Sequence, residues 1–178
     1  MSCSSELHRV FVYGSLLEED IVRVLLKRVP RSSPAVLHGF HRFSIKGRVY
    51  PAILPVSNNS SHVAGKVLFG ISDPELRILD IFEDVEYQRT TVDVSLMDGG
   101  RSSSQILQAH TYVWENKTDP DLFGEWDFEE WKKAHMNDFL KMSIGFMEEL
   151  ELPESKPRVA TYQAFFHQDE DLNNSLHP

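Results

Sequence analysis

The sequence predicts an α+β domain: a small mixed β-barrel of about six strands with flanking helices. Three observations predict it. Strand-like segments rich in Val, Ile, Phe and Tyr fill most of the stretch from His8 to Trp114. Two shorter helical patterns interrupt them. From Asp127 to Leu150 the period changes, and Phe128, Trp131, Phe139, Met142, Phe146 and Leu150 fall on one helical stripe.

The segment His8 to Tyr13 is apolar on both faces, as in a buried strand. Gly14-Ser15 ends it. Glu18 to Val29 has helical spacing, with Ile21, Val24, Leu25 and Leu26 on one face and Pro30 as its stop. Ala35–Ile45 and Arg48–Leu54 read as strands. Val63–Phe69 is a further strand, with a bulge expected at Gly65. Asp73-Pro74 opens a second helix, Asp as its cap and Pro in the first turn. Tyr87–Met97 alternates Val92, Val94 and Leu96 on one face, Asp98-Gly99-Gly100 turns, and Ile106–Trp114 returns. Asp127 and Glu130 resemble a capping box at the start of the long helix. The folded domain is expected over residues 8–150. A C-terminal tail at 151–178, with its acidic run Asp169-Glu170-Asp171, is expected to be loosely docked or disordered.

Composition excludes several classes. With 178 residues, 41% of them hydrophobic, the chain buries a sizeable core as one domain. A net charge of −9 repels phosphate backbones and anionic lipid, so neither nucleic acid nor a membrane is an expected partner. Arg42, Lys46 and Arg48 are the one local basic cluster, read as a solvated edge. The single cysteine, Cys3, forms no intrachain disulfide. Without an apolar leader or a spanning run, the expectation is a cytoplasmic protein. The eight histidines show no metal spacing with a third ligand nearby, and there is no Gly-rich nucleotide loop. Neither a metal nor a cofactor is expected.

Two constellations carry chemistry. Tyr13-Gly14-Ser15-Leu16 lies between a buried strand and a helix. A glycine there lets a ligand approach the backbone, and the N–H groups behind it suit a carboxylate or an oxyanion. Ser15 followed by Glu18 is equally a capping box, and both readings can hold together. The second is Glu83. On a helical wheel it falls between Leu76 and Leu79, inside the apolar arc, with Asp80 at the arc's edge. A carboxylate facing a core is costly unless paired or used, and burial raises its pKa toward the range of acid–base catalysis. The alternatives are a Glu83 that swings to solvent or pairs with Arg89.

Three stretches in order resemble the γ-glutamylcyclotransferase-like family: Val10-Phe11-Val12-Tyr13-Gly14-Ser15-Leu16, Tyr50-Pro51-Ala52-Ile53, and Leu79-Asp80-Ile81-Phe82-Glu83 followed by Tyr87-Gln88-Arg89. Trp114, Asp119–Leu122 and Gly124–Phe128 are similar to the plant avirulence-induced-gene-like branch. The resemblance covers roughly residues 8–150. It implies a small barrel that cyclises a γ-glutamyl compound. The substrate's α-amine attacks its own γ-carbonyl, giving 5-oxoproline and a free amine. It implies Glu83 as the proton-shuttling residue. Tyr13, Gly14, Ser15, Leu16, Leu17 and Glu18 would hold the substrate, and Tyr50, Pro51, Tyr87 and Arg89 would wall the pocket. The partner would be a small γ-glutamyl molecule, with no cofactor. One departure stands out: Glu83-Asp84-Val85-Glu86-Tyr87 is shorter and more acidic than the family's Glu-Gly and Pro-containing stretch, which suggests a cationic leaving group. The competing readings are transfer of the γ-glutamyl group to another amine, and a non-catalytic small-molecule-binding module of the same fold.

Overall fold

A computed structural model describes residues 7–58, 60–98 and 101–151. The tail at 152–178, Cys3 and the Gly99-Gly100 turn lie outside them. Eight strands are present in these residues: β1 (His8–Val12), β2 (Ser32–His38), β3 (Phe40–Ile45), β4 (Ala52–Pro55), β5 (His62–Ile71), β6 (Tyr87–Asp98), β7 (Arg101–Trp114) and β8 (Leu122–Phe123). Five of them close a barrel in the order β1-β5-β2-β6-β7, and β4-β3-β8 form a separate three-stranded sheet. A parallel pairing of Val10 with His110 joins β1 to β7.

The barrel of about six strands expected from the sequence has five, because the segment expected as a strand over 48–54 forms β4 and pairs with β3 in the side sheet. β3 reaches that sheet because the segment read as one strand over 35–45 breaks at Gly39, φ 81, so that only its first half stays in the barrel as β2. The bulge expected at Gly65 is absent, since Ala35 pairs with Gly65 in an uninterrupted register. Irregularities fall instead between His8 and Val10 and between Ser95 and Met97.

Three helices complete the domain: α1 (Glu19–Leu26), α2 (Asp73–Glu83) and α3 (Phe128–Leu150). The first is shorter than its sequence pattern, ending where Lys27 turns left-handed at φ 63. The box expected between Ser15 and Glu18 does not form. Ser15–Leu17 is a separate 3-10 turn, and Glu18 is extended, with its carboxylate 3.1 Å from Lys132 on α3. A complete capping box forms at α2, where Ser72 rather than Asp73 is the cap. Asp127 caps α3 by accepting from the Glu130 N–H.

Phe139 and Phe146 of α3 are buried and meet the Phe82 ring edge-on at 6.1 and 5.2 Å. The contact locks the last turn of α2 to α3.

Candidate active site

Strand β1 delivers Tyr13 and Gly14 to the end of the barrel. Val10, Phe11 and Val12 are buried, which fixes where the chain emerges. Gly14 is required by close approach: a Cβ there would lie 2.9 Å from Pro51 Cγ. The chain then turns through Ser15–Leu17, with Leu17 and Glu18 N–H donating back to the Gly14 and Ser15 carbonyls. Among the described residues the N–H groups of Gly14, Ser15 and Leu16 have no acceptor.

Glu83 reaches the same place from α2. It ends the helix, and Phe82 beside it is anchored in the core. Tyr13, Gly14, Ser15 and Leu16 share with Glu83, Tyr50, Pro51, Tyr87 and Tyr112 the wall of a cavity of about 30 Å³. A second lobe, about 20 Å³, shares Ser15, Tyr50, Glu83 and Tyr87 and adds Phe82, Asp84, Glu86 and Phe139. Glu83 stands where the lobes meet. The motif residues thus converge, with three exceptions. Leu17 and Glu18 line neither lobe, because the turn carries them toward α3. Arg89 lies on an outer groove, where it pairs with Asp80 at 2.8 Å.

That pair removes Arg89 as a partner of Glu83. Arg89 is engaged by Asp80, and among the described residues the Glu83 carboxylate has no hydrogen bond or ion pair. Glu83 keeps partial exposure into the cavity, yet protein surrounds its carboxyl. Desolvation, and secondarily the Asp80 charge, push its pKa from 4.5 up to about 8.

Hydroxyls and cations fix the walls. Tyr13 Oη donates to the Tyr112 carbonyl at 2.5 Å, and Tyr87 Oη donates to the Pro51 carbonyl at 2.6 Å. Tyr112 Oη donates to Asp80 at 2.7 Å. Burial holds the Tyr13 and Tyr112 hydroxyls above the usual tyrosine range, with Glu83 adding to the first and Asp80 to the second. Arg48 donates to the Tyr50 hydroxyl and to Glu86, the latter at 2.7 Å. Arg42 donates to the Tyr13 carbonyl at 2.7 Å.

Arg42, Arg48 and Tyr112 are the contributors that sequence reasoning missed. Arg42 and Arg48 read as a solvated edge, but both are partly buried and engaged. Tyr112 could have been found by pairing the hairpin, since it lies opposite Arg89. Among the described residues no group of three or more His, Cys, Asp or Glu could hold a metal ion, and no helix is long and apolar enough to cross a membrane.

Fold and site define a small five-stranded barrel in which a desolvated carboxylate, without a partner among the described residues, faces a tight backbone turn. Comparison with known proteins gives that class its family. Residues 10–133 match the family described as "Gamma-glutamyl cyclotransferase, AIG2-like", and the chain belongs to it. AIG2-like protein D of Arabidopsis thaliana is 60% identical over 156 residues, covering 88% of this chain and 99% of that relative. A solution structure of another Arabidopsis thaliana protein is 44% identical with a TM-score of 0.60, covering 85% of this chain and 100% of that one. A yeast γ-glutamyl cyclotransferase specific to glutathione shares the fold at 12% identity, with a TM-score of 0.50 over 91% of this chain and 96% of that one.

Proposed function

We propose that the chain is a γ-glutamylcyclotransferase in which Glu83 shuttles the proton. One observation carries the reading: a desolvated carboxylate with no partner among the described residues shares a cavity with the turn Tyr13–Leu16. In the proposed reaction Glu83 takes a proton from the substrate's α-ammonium. The freed amine attacks the γ-carbonyl carbon of the same molecule. The new N–C bond closes a five-membered ring, and the tetrahedral oxyanion accepts from the free N–H groups of the turn. The old C–N bond then breaks as Glu83 returns its proton to the leaving nitrogen, and the second proton on the ring nitrogen passes by the same carboxylate to the departing amine, which leaves as an ammonium. No water is consumed and no protein nucleophile is needed. Holding nucleophile and electrophile together in one bent substrate supplies much of the acceleration. A carboxyl titrating near 8 suits both halves of the proton transfer.

The second lobe suits the leaving group. Glu86 is already neutralised by Arg48. Asp84 Oδ2 is buried without a hydrogen-bond partner among the described residues, so Asp84 is the acidic residue left to attract a cationic amine. Equal turnover of neutral and cationic γ-glutamyl amides would remove this preference.

The decisive measurement is release of 5-oxoproline from a panel of γ-glutamyl amino acids and amines, wild type beside Glu83→Gln. The expected outcome is turnover by wild type and a loss of roughly 10²–10⁴-fold in the variant. A folded wild-type chain that releases no 5-oxoproline from any member refutes the reading.

A further inference from the structure

The turn Tyr13–Leu16 is useful to an oxyanion only if its peptide planes face the right way. A trans peptide is planar, so its C=O and the following N–H point in opposite directions. Whatever holds the Tyr13 carbonyl therefore aims the Gly14 N–H. That holder is Arg42 of β3, whose guanidinium donates to the Tyr13 carbonyl at 2.7 Å and to the Ala64 carbonyl at 3.2 Å. The two carbonyls belong to neighbouring chain segments, so one cation ties the strand end to β5.

Arg42 is itself braced. Its guanidinium lies over the Trp126 ring, 5.3 Å from the centroid. Trp126 is buried, donates from its indole to the Val49 carbonyl at 3.0 Å, and packs on Trp131 of α3 at 6.1 Å. The Trp126 backbone N–H donates to the Arg42 carbonyl at 3.3 Å. Burial pulls the Arg42 pKa down, while Asp127 and Glu125 beside it favour its charge. Its Nε is buried with no acceptor among the described residues. Such a group is costly.

We propose that Arg42, stacked under Trp126, is a positioning residue that locks the Tyr13–Gly14 peptide with its N–H toward the cavity. It acts through the backbone and touches no substrate. The Gly124–Phe128 stretch thereby gains a role, because it supplies the ring that holds Arg42 in place. The proposal rests on the cyclotransferase reading for its consequence in turnover, but not for the peptide's orientation.

The experiment pairs crystal structures of wild type, Arg42→Gln and Arg42→Lys with steady-state kinetics on the best substrate of the panel. In Arg42→Gln the Tyr13–Gly14 peptide is expected to rotate or to occupy two orientations. Losing one oxyanion donor then lowers kcat by about 10²-fold, with KM much less affected because the donor acts in the transition state. Arg42→Lys is expected to restore the peptide and part of kcat. An Arg42→Gln chain whose peptide is unmoved, or moved with kcat unchanged, overturns the proposal. Should Arg42→Gln fail to fold, Trp126→Phe carries the same two readouts at smaller amplitude, and an unmoved peptide with unchanged kcat there overturns it equally. If wild type turns over nothing, the cyclotransferase reading falls, and the orientation of the peptide in the variants alone decides this inference.

Discussion

At the N-terminal end of α2, Ser72 and Glu75 close a reciprocal cap, and Arg28 grips Glu75 through two 2.8 Å hydrogen bonds. Asp73 receives His8 at 2.6 Å. At the C-terminal end of the same helix, Glu83 has no partner among the described residues, and Asp84 Oδ2 is buried unpaired. Asp84 adopts φ 63 and ψ −165, a conformation that is nearly glycine's own. The first end follows the local rules of helix stability, and the second breaks three of them within two residues. A chain tolerates such a concentration of cost where function requires it. The contrast predicts that substitutions at the first end lose stability and keep chemistry, while those at the second do the reverse.

Glu83→Gln is the largest break. Beyond the loss of turnover, it reverses the usual sign of a stability effect. A carboxyl whose folded pKa is about 8 against an ordinary 4.5 binds more protons folded than unfolded. Wild-type stability therefore falls as pH rises between these values and is flat above them. Glutamine does not titrate. The variant is expected to be the more stable protein above pH 8, by up to roughly 5 kcal/mol at about 1.4 kcal/mol per pH unit. The part of the carboxyl that keeps water reduces that figure. The difference should vanish near pH 4. Thermal unfolding of both chains from pH 4 to 9 measures it, and parallel curves would show that Glu83 is not desolvated.

Glu75→Ala probes the other end. It removes the reciprocal cap and the bidentate partner of Arg28, at an expected cost of about 1–2 kcal/mol. Turnover of the folded fraction should not change. A kinetic defect at a temperature where the chain is fully folded would mean that the two ends are coupled, and the comparison would fail.

The same contrast explains what could be read in advance. The barrel and its helices follow from period and from turn residues, which are local, and so does the placement of Glu83 on the buried arc of α2. The count of barrel strands depends on where Gly39 sends β3, and a glycine does not announce whether the chain bends or leaves. Arg42 was unreadable for a similar reason. A cation in a strand looks the same whether it faces water or a carbonyl contributed by another strand. Ser15 and Glu18 satisfy the spacing of a capping box, but tertiary pairing of Glu18 with Lys132 outweighs it. Asp84's backbone strain has no signature in its side chain.

Asp84→Gly tests that strain. Relief of a positive-φ aspartate is worth about 1–3 kcal/mol. Against it stand the unfolded-state entropy of glycine and the loss of the Asp84 Oδ1 contact with the Val85 N–H at 2.7 Å. The expected net is a gain of about 1 kcal/mol, with a weaker preference for cationic leaving groups. Chemical denaturation of both chains gives the first, and the ratio of kcat/KM values for a cationic and a neutral amide gives the second. A destabilised glycine variant would show that the Asp84 side chain holds the loop and that the strain is small.

Asp80→Asn is the finest probe, because it changes a charge near Glu83 without changing Glu83. Asp80 is fixed by Arg89 and by the Tyr112 hydroxyl, 2.8 and 2.7 Å away, so its carboxylate has a defined place one helical turn before Glu83. A like charge disfavours ionisation, so Asp80 raises the Glu83 pKa, second to desolvation. Asparagine can keep an acceptor for Tyr112 while removing that charge, and it leaves the Arg89 cation uncompensated. Both changes favour the Glu83 carboxylate. In the proposed mechanism kcat/KM is expected to rise with pH as the Glu83 carboxyl, pushed up to about 8, ionises, and in Asp80→Asn that rise should move to lower pH. The move should be a fraction of a pH unit, since burial is untouched. A rise that moves to higher pH would mean that Asp80 reaches Glu83 through the position of Tyr112 instead of through its charge. An unmoved rise would mean that the titrating group is the substrate's amine, and that the desolvated end of α2 sets the proton's path but not the pH at which it is taken.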